Sequence, residues 1–339
     1  MIPSLKLAIF CEAGEMASHP DIHHLALLNP LGASLAHYTI SLEHLLSRSG
    51  TSVSVFSTLE PSASGKGQIW WLIEYVRLLL STRRRADDLV IITWPVLGYW
   101  DFVIARMLLS SKSLVKIVMH DPRPLVRATG YTRLARWCAS RSSNGPSAIV
   151  HSKAAGEILQ EDTSLPSVRV LPHPMLPPLP STGPLDEVVV RVLGMYKIDR
   201  DIESLRLIAS CGPSDWRYEI VGRGWPTVPG WHVDDRFVDE DEFDDLIRTS
   251  SVILIPYKRF FQSGVAVRSL ELGTPVVGPK ESSLSSLLEE KGAWLVTDDG
   301  WLDSIRAAAK APRQDVHQVA LSSYGLALAS WSKWLVALT

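Results

Sequence analysis

What most limits the fold of this chain is a single break in an otherwise regular rhythm. β-type runs alternate with helical stretches from end to end, and the alternation stops once, at VRVLPHPMLPPLPSTGP (168–184). Proline fixes φ and lacks a backbone N–H, so a stretch this rich in it continues neither a helix nor a central strand. It reads as an interdomain linker. Before it, KLAIF (6–10), SVSVF (52–56), DLVIIT (88–93), LVKIVMHD (114–121) and SAIVHS (147–152) read as strands. Between the first two, ASLAHYTISLEHLLSRSG (33–50) is expected to be a helix with Leu35, Ile40, Leu42, Leu45 and Leu46 on one face and Gly50 at its end. After the linker the rhythm resumes with VVVRVLG (188–194), YEIVG (218–222), SVILIPY (251–257) and TPVVG (274–278). Strands alternating with helices imply parallel, doubly wound sheets. The expected class is therefore α/β, with Rossmann-like domains over residues 1–175 and 176–315. Ligands of such sheets sit beyond the carboxyl ends of the strands, so two facing sheets place the site in the cleft between them.

Bulk composition removes several function classes. The 339 residues are 46% hydrophobic and 21% charged with a net charge of −2, which gives no basis for nucleic-acid binding. The balance is uneven, however. Residues 1–170 carry 17 Lys+Arg against 13 Asp+Glu, and residues 171–339 carry 17 against 23, so the halves stand at +4 and −6. Cys11, Cys138 and Cys211 are far apart and in no metal spacing, as expected of reduced thiols in a cytoplasmic protein. The first residues, MIPSLKLAIFCEAG, read as a first strand rather than a signal peptide. The longest apolar run, LVIITWPVLGYW (89–100), contains Pro and Gly and is too short to span a membrane.

The chemistry concentrates in VILIPYKRFFQSGVAVRSLELGTPVVG (252–278). A strand delivers the chain to the carboxyl edge, a basic and aromatic loop follows, and a helix begins at Gly264. Unpaired N–H groups and the positive dipole end make such a helix start attractive to an anion, and a glycine there lets a ligand approach the backbone. Glu271 lies two turns on, in an otherwise apolar helix. Its carboxylate suits the two hydroxyls of a vicinal diol such as ribose.

On these residues the chain resembles the large retaining nucleotide-sugar family of GT-B glycosyltransferases, which includes many mannosyl- and glucosyltransferases of cell-surface glycans. The second Glu of that family's paired-Glu motif matches Glu271 within ELGTPVV. Ser263 replaces the first, as in a branch that carries Gln-Ser-Gly there. VRVLGMYKIDRDIESL (190–205) is similar to the segment whose Arg and Lys bind the donor diphosphate, with Lys197 and Arg200 at those positions after Gly194. YEIVGRG (218–224) is similar to the glycine-rich turn, bringing Gly222 and Arg223. VKIVMHD (115–121) is similar to the strand ending in His-Asp at the cleft, and NPLGAS (29–34) echoes the acceptor loop through Gly32.

The resemblance implies a metal-independent, retaining transferase using a UDP- or GDP-sugar, with no cofactor beyond that donor. It implies donor contacts at Gly194, Lys197, Arg200, Gly222, Arg223, Gln262, Ser263, Gly264, Val265 and Glu271. Gly32, His120 and Asp121 would face the acceptor, and His120, Lys197 and Arg200 would be catalytic. The last helix, 316–339, would cross back to the first domain. The expected acceptor is a glycolipid or lipid-linked saccharide of surface polysaccharide assembly. The blander alternatives are surface charges at Lys197 and Arg200, turn decoration at Arg223, a turn-bonding His120, and strand-end roles for His151 and His173. The acids of DEDEFDDLIR (239–248) surround a helix and read as a solvated face rather than a metal site. Arginines interleaved with aromatics in WWLIEYVRLLLSTRRR (70–85) and YTRLARWCASR (131–141) would suit an anionic lipid surface, placing the protein peripherally on the inner face of the cell membrane. The rival readings are a sugar-nucleotide epimerase of the same fold and a degenerate glycosyltransferase that only binds nucleotide or glycan.

Overall fold

A computed structural model of the chain describes residues 22–85, 87–124, 128–141, 145–165, 167–180, 187–288 and 292–338. The expected strand at 6–10 and Cys11 lie outside them. The first sheet comprises β1 (His24–Asn29), β2 (Ser52–Ser57), β3 (Leu89–Ile92), β4 (Leu114–Val118), β5 (Ser147–Val150) and β6 (Val168–Val170). Its order is β2-β1-β3-β4-β5-β6, and every described pairing is parallel. The second contains β7 (Val189–Leu193), β8 (Arg217–Val221), β9 (His232–Asp234), β10 (Val252–Leu254), β11 (Val276–Pro279) and β12 (Leu295–Val296), in the order β12-β11-β10-β7-β8-β9, again parallel.

Helices fill the crossovers. In the first unit they are α1 (Ala36–Ser47), α2 (Pro61–Ser64), α3 (Gln68–Arg85), α4 (Trp100–Leu108), α5 (Arg133–Ser140) and α6 (Lys153–Asp162). In the second they are α7 (Ile202–Cys211), α8 (Glu240–Arg248), α9 (Gly264–Glu271), α10 (Leu284–Leu287), α11 (Trp301–Ala309) and α12 (Arg313–Val336). The chain steps leftward from β1 to β2 and rightward thereafter. Right-handed crossovers therefore put α1 on one face of the first sheet and α3 to α6 on the other. The core divides accordingly. Tyr75, Leu79, Phe102 and Leu159 pack under α3 to α6, and Leu42, Leu45 and Leu46 pack under α1.

Several elements differ from expectation, and β6 occupies the first residues of the stretch that reads as linker. HLALLN is the strand β1, second from the sheet edge, although Leu and Ala favour helix. Six residues ending at Pro30 are too few for a stable helix, and burial between two helical layers accepts any apolar run. β9 and β12 are too short to show a pattern in sequence. On α1, Ile40 is exposed rather than on the buried face, because at about 100° per residue it stands far from Leu42 and Leu45.

The helix α12 links the two cores. Val316, Val319 and Ala320 pack in the second, and Ala327, Trp331 and Leu335 in the first. Trp331 Nε1 donates to Pro172 O at 2.9 Å, pinning the helix to the linker. No helix among the described residues is long and apolar enough to cross a membrane.

Candidate active site

Carboxyl ends of both sheets converge on a cavity of about 280 Å³. From the first unit come Trp94 after β3 and His120 and Asp121 after β4. From the second come Lys197 after β7 and the loop Tyr257–Ser263 after β10, continuing through Gly264 and Val265 at the start of α9. The loop ends where Ser263 Oγ accepts the N–H of Ala266 at 3.2 Å, so the serine that stands in the Glu position is the N-cap of α9. The first amides of that helix have no acceptor within it, and they line the same cavity.

His120 is buried and held on every side. Its Nε2–H donates to Thr93 O at 2.8 Å, and its Nδ1 accepts from the Gln262 amide across the interdomain boundary. The Trp94 ring stacks on it at 5.2 Å and Tyr38 meets it edge-on at 4.8 Å. Burial lowers its pKa, opposed in part by the bonds to Gln262 and Thr93, so the ring is neutral near physiological pH. Gln262 Oε1 is buried with no partner among the described residues. A second cavity, about 460 Å³, lies on the linker side of Gln262 and Ser263, which line both. There His151 donates from Nδ1 to Leu171 O at 3.0 Å and accepts from Tyr38 Oη at Nε2, 2.9 Å away. Burial, then the neighbouring His173 and His120, push the His151 pKa well down. Burial drives His173 to about 3.

The cationic corner is layered. Lys197 reaches the cavity itself. Partial desolvation, then the charge of Arg200, lowers its ammonium pKa, and Asp121 opposes the shift. Arg200 sits behind it, 4% exposed, with its guanidinium 4.0 Å from the Tyr257 ring centre and Nη2 donating to Leu193 O at 2.9 Å. Its Nε and Nη1 are buried without an acceptor among the described residues. The backbone is tight above it. Gly194 adopts φ +96°, and a Cβ on Gly222, at φ +150°, would stand 2.2 Å from Gly194 O. Arg223 is exposed and lies over Phe237, away from the cavity.

Two expected site residues are engaged elsewhere. Glu271 is buried but does not line the cavity. Its Oε1 accepts from Leu176 N at 2.6 Å, and its Oε2 lies 2.8 Å from His37 Nε2 and 3.4 Å from Arg268. Gly32 is needed for close packing, since a Cβ there would stand 2.9 Å from Thr58 O. The loop amides that follow, Ala33 and Ser34, donate to Glu60 at 3.2 and 2.8 Å. Burial pushes the Glu60 pKa up, but those bonds and the Ser34 hydroxyl outweigh it and hold the carboxyl below its usual range. Sequence reading passed over Glu60, Trp94, Tyr257 and Arg259. Tyr257 and Arg259 stood inside the basic and aromatic stretch already singled out, and its place at the carboxyl edge was the available signal. Around α8, Arg236 pairs with Glu242, and Arg268 and Arg248 with Asp244.

Solved structures share this architecture over nearly their whole length. One is the HepE protein of Anabaena in complex with UDP-glucose, at 14% identity, covering 93% of this chain and 98% of that one with a TM-score of 0.63. Another is the sucrose-phosphate synthase of Thermosynechococcus elongatus, at 14% identity, covering 93% and 97% with a TM-score of 0.62. The fold is GT-B. No family model matches the sequence. Among curated proteins, a GDP-mannose:glycolipid 4-beta-D-mannosyltransferase of Xanthomonas campestris pv. campestris is 28% identical over 92 residues, 24% of this chain. The match spans 26% of that relative's length. GT-B geometry accounts for the placement of the two cavities between the units.

Proposed function

We propose that the protein is a glycosyltransferase that moves a sugar from a nucleoside diphosphate sugar to a glycolipid or lipid-linked saccharide. One observation carries the reading: Lys197 and the start of α9 face His120 across a single cavity between two GT-B sheets. Lys197 and the amides at Ser263–Gly264 would neutralise the diphosphate as its bond to the sugar breaks. Arg200 would add charge from behind the Gly194 turn. Fixed donors of this kind act where charge develops and replace a metal. His120, neutral and oriented by Thr93 and Gln262, would hold a sugar or acceptor hydroxyl beside the reacting carbon. Glu271 would turn to the ribose by exchanging Leu176 N and His37 for the diol.

The finer reading is a retaining, metal-independent enzyme on the inner membrane face. Support for a nucleotide sugar comes from the UDP-glucose bound by the HepE protein, and for a glycolipid acceptor from the name of the mannosyltransferase. Thermal shift with UDP, GDP, ADP and their sugars tests the donor. A ligand at a hundred times its Kd stabilises by about 2.7 kcal/mol, and no shift with any of them removes the proposal. With the donor known, the anomeric proton of the product reports retention or inversion, and transfer unchanged by EDTA checks the absence of a metal.

Epimerisation of a nucleotide sugar is the second reading. What favours it is Glu271 beside His37, with His120, His151 and His173 nearby, an assembly of acid and imidazole groups that sequence alone did not bring together. Incubation with donor and no acceptor separates the two: an epimerised nucleotide sugar would replace the transferase reading.

A further inference from the structure

The face of the first sheet covered by α3, α4 and α5 turns apolar side chains to solvent. Tyr75, Leu78 and Leu79 form the buried side of α3. On another side stand Ile69, Ile73, Val76 and Leu80, spaced four, three and four residues apart and all exposed, Ile69 by 78%. Trp70 is 51% exposed beside Arg77, whose guanidinium lies 5.8 Å from its ring. On α5, Leu134 and Trp137 are exposed, and Arg141 lies 4.2 Å over the Trp137 ring. A helix that only covers a sheet is expected to be polar outward, and this one carries two apolar sides.

Charge distinguishes the occupant. α3 carries Arg77, Arg83 and Arg84, besides an Arg85 engaged by Asp87 at 3.3 Å, against one acid, Glu74, which Lys66 already holds at 2.8 Å. α5 opens with Arg133 and contains no acid. Arginine heads beside tryptophan and aliphatic side chains match anionic headgroups over an acyl boundary. Position adds a second argument. α3 and α5 begin at the carboxyl edge of the sheet, which is also the cleft edge, and Trp71 Nε1 donates to Pro30 O at 2.7 Å in the loop leading to Gly32. The apolar stripe therefore starts at the rim through which an acceptor would enter.

We propose that the outer face of α3 and α5 docks on an anionic bilayer, holding the cleft rim at headgroup level. This rests on the lipid-linked acceptor proposed above, and names the surface that would meet the lipid. The test is co-sedimentation of the full chain with vesicles of phosphatidylcholine, alone or mixed with phosphatidylglycerol. Binding is expected to the mixed vesicles and to weaken as salt rises. Arg77→Gln with Arg84→Gln should lower the partition about fivefold per arginine. Ile69→Ser with Ile73→Ser should lower it at any salt. All four positions are exposed, and unchanged nucleoside diphosphate binding in these variants would show that the fold and donor site survive. Wild-type binding equal on both vesicles, or binding untouched by both double variants, overturns the proposal. So does a wild-type dimer, seen by light scattering, that the isoleucine variants dissolve. Loss of nucleotide binding in the wild type would instead strike the donor reading and leave the vesicle result standing.

Discussion

Lys197 and Arg200 are three residues apart yet differ in kind. Lys197 stands in the cavity, whereas Arg200 is buried under the Gly194 turn with Nη2 committed to Leu193 O. Lys197→Ala should leave the fold intact and act mainly on turnover, since charge on the leaving diphosphate grows as the bond breaks. We expect a loss of about a hundredfold in kcat, the scale of one preorganised donor, with a smaller effect on donor affinity. Arg200→Lys should cost stability as well. An ammonium cannot reproduce a planar group stacked on Tyr257 while bonded to a carbonyl, so its melting point should fall where that of Lys197→Ala does not. A stable Arg200→Lys variant with full turnover would make Arg200 decoration. For Glu271 the separating substitution is Gln. It retains an acceptor for Leu176 N, so the linker contact survives, but it loses the charge. If the carboxylate also receives a ribose, nucleoside diphosphate affinity by calorimetry should fall about tenfold, near 1.4 kcal/mol, with little change in melting point. Unchanged affinity would confine Glu271 to its contact with the linker.

Among the elements, α9 and its loop were the most legible in sequence. A β-branched strand, a Gln-Ser-Gly cap and a terminal Gly each state a local preference, and local chemistry is what a sequence displays directly. The strand β1 was hidden because Leu and Ala advertise helix while burial on both faces dictates strand. The closure of the Gly32 loop by Glu60 was hidden for another reason. The two are 28 positions apart, and the contact exists only once β1 and β2 pair. Lys197 meeting His120 required both domains in place. The helix α12 was expected, from the resemblance, to cross back to the first domain, but the side chains that brace it there were not legible. Trp331 is fully buried between His151, Trp334 and the linker carbonyl of Pro172. Trp331→Ala should therefore cost about 3–5 kcal/mol, with the urea midpoint as readout. If the loss is under about 1 kcal/mol, the helix end is not part of the cooperative unit.

At the scale of the whole molecule, buried titratable groups at the domain boundary and in the first core set the pH response. His120, His151 and His173 are all held neutral by burial, His173 with a pKa of about 3 against an ordinary 6.5. Between those values the unfolded chain binds the protons that the folded chain refuses, so stability must fall as pH drops from about 6.5 toward 3. Glu60 adds to this at the lower end, because its folded pKa is depressed and its contribution is lost as pH falls through it. Asp101 works the other way. Burial raises its carboxyl to about 7 from 3.8, while the Tyr75 hydroxyl at 2.6 Å and Leu97 N at 2.5 Å pull it down in part. Here the folded chain holds the proton that the unfolded chain has released, so this group costs stability as pH climbs from about 4 to about 7, on the order of 4 kcal/mol over three units. Asp101→Asn carries no such proton and keeps a hydrogen-bonding amide in the same space. Its stability relative to the native chain should therefore rise steadily across that interval, read from urea midpoints at successive pH values. A constant difference between the two proteins would mean that Asp101 is ionised throughout, its charge carried by the Tyr75 hydroxyl and Leu97 N without the shift that burial imposes.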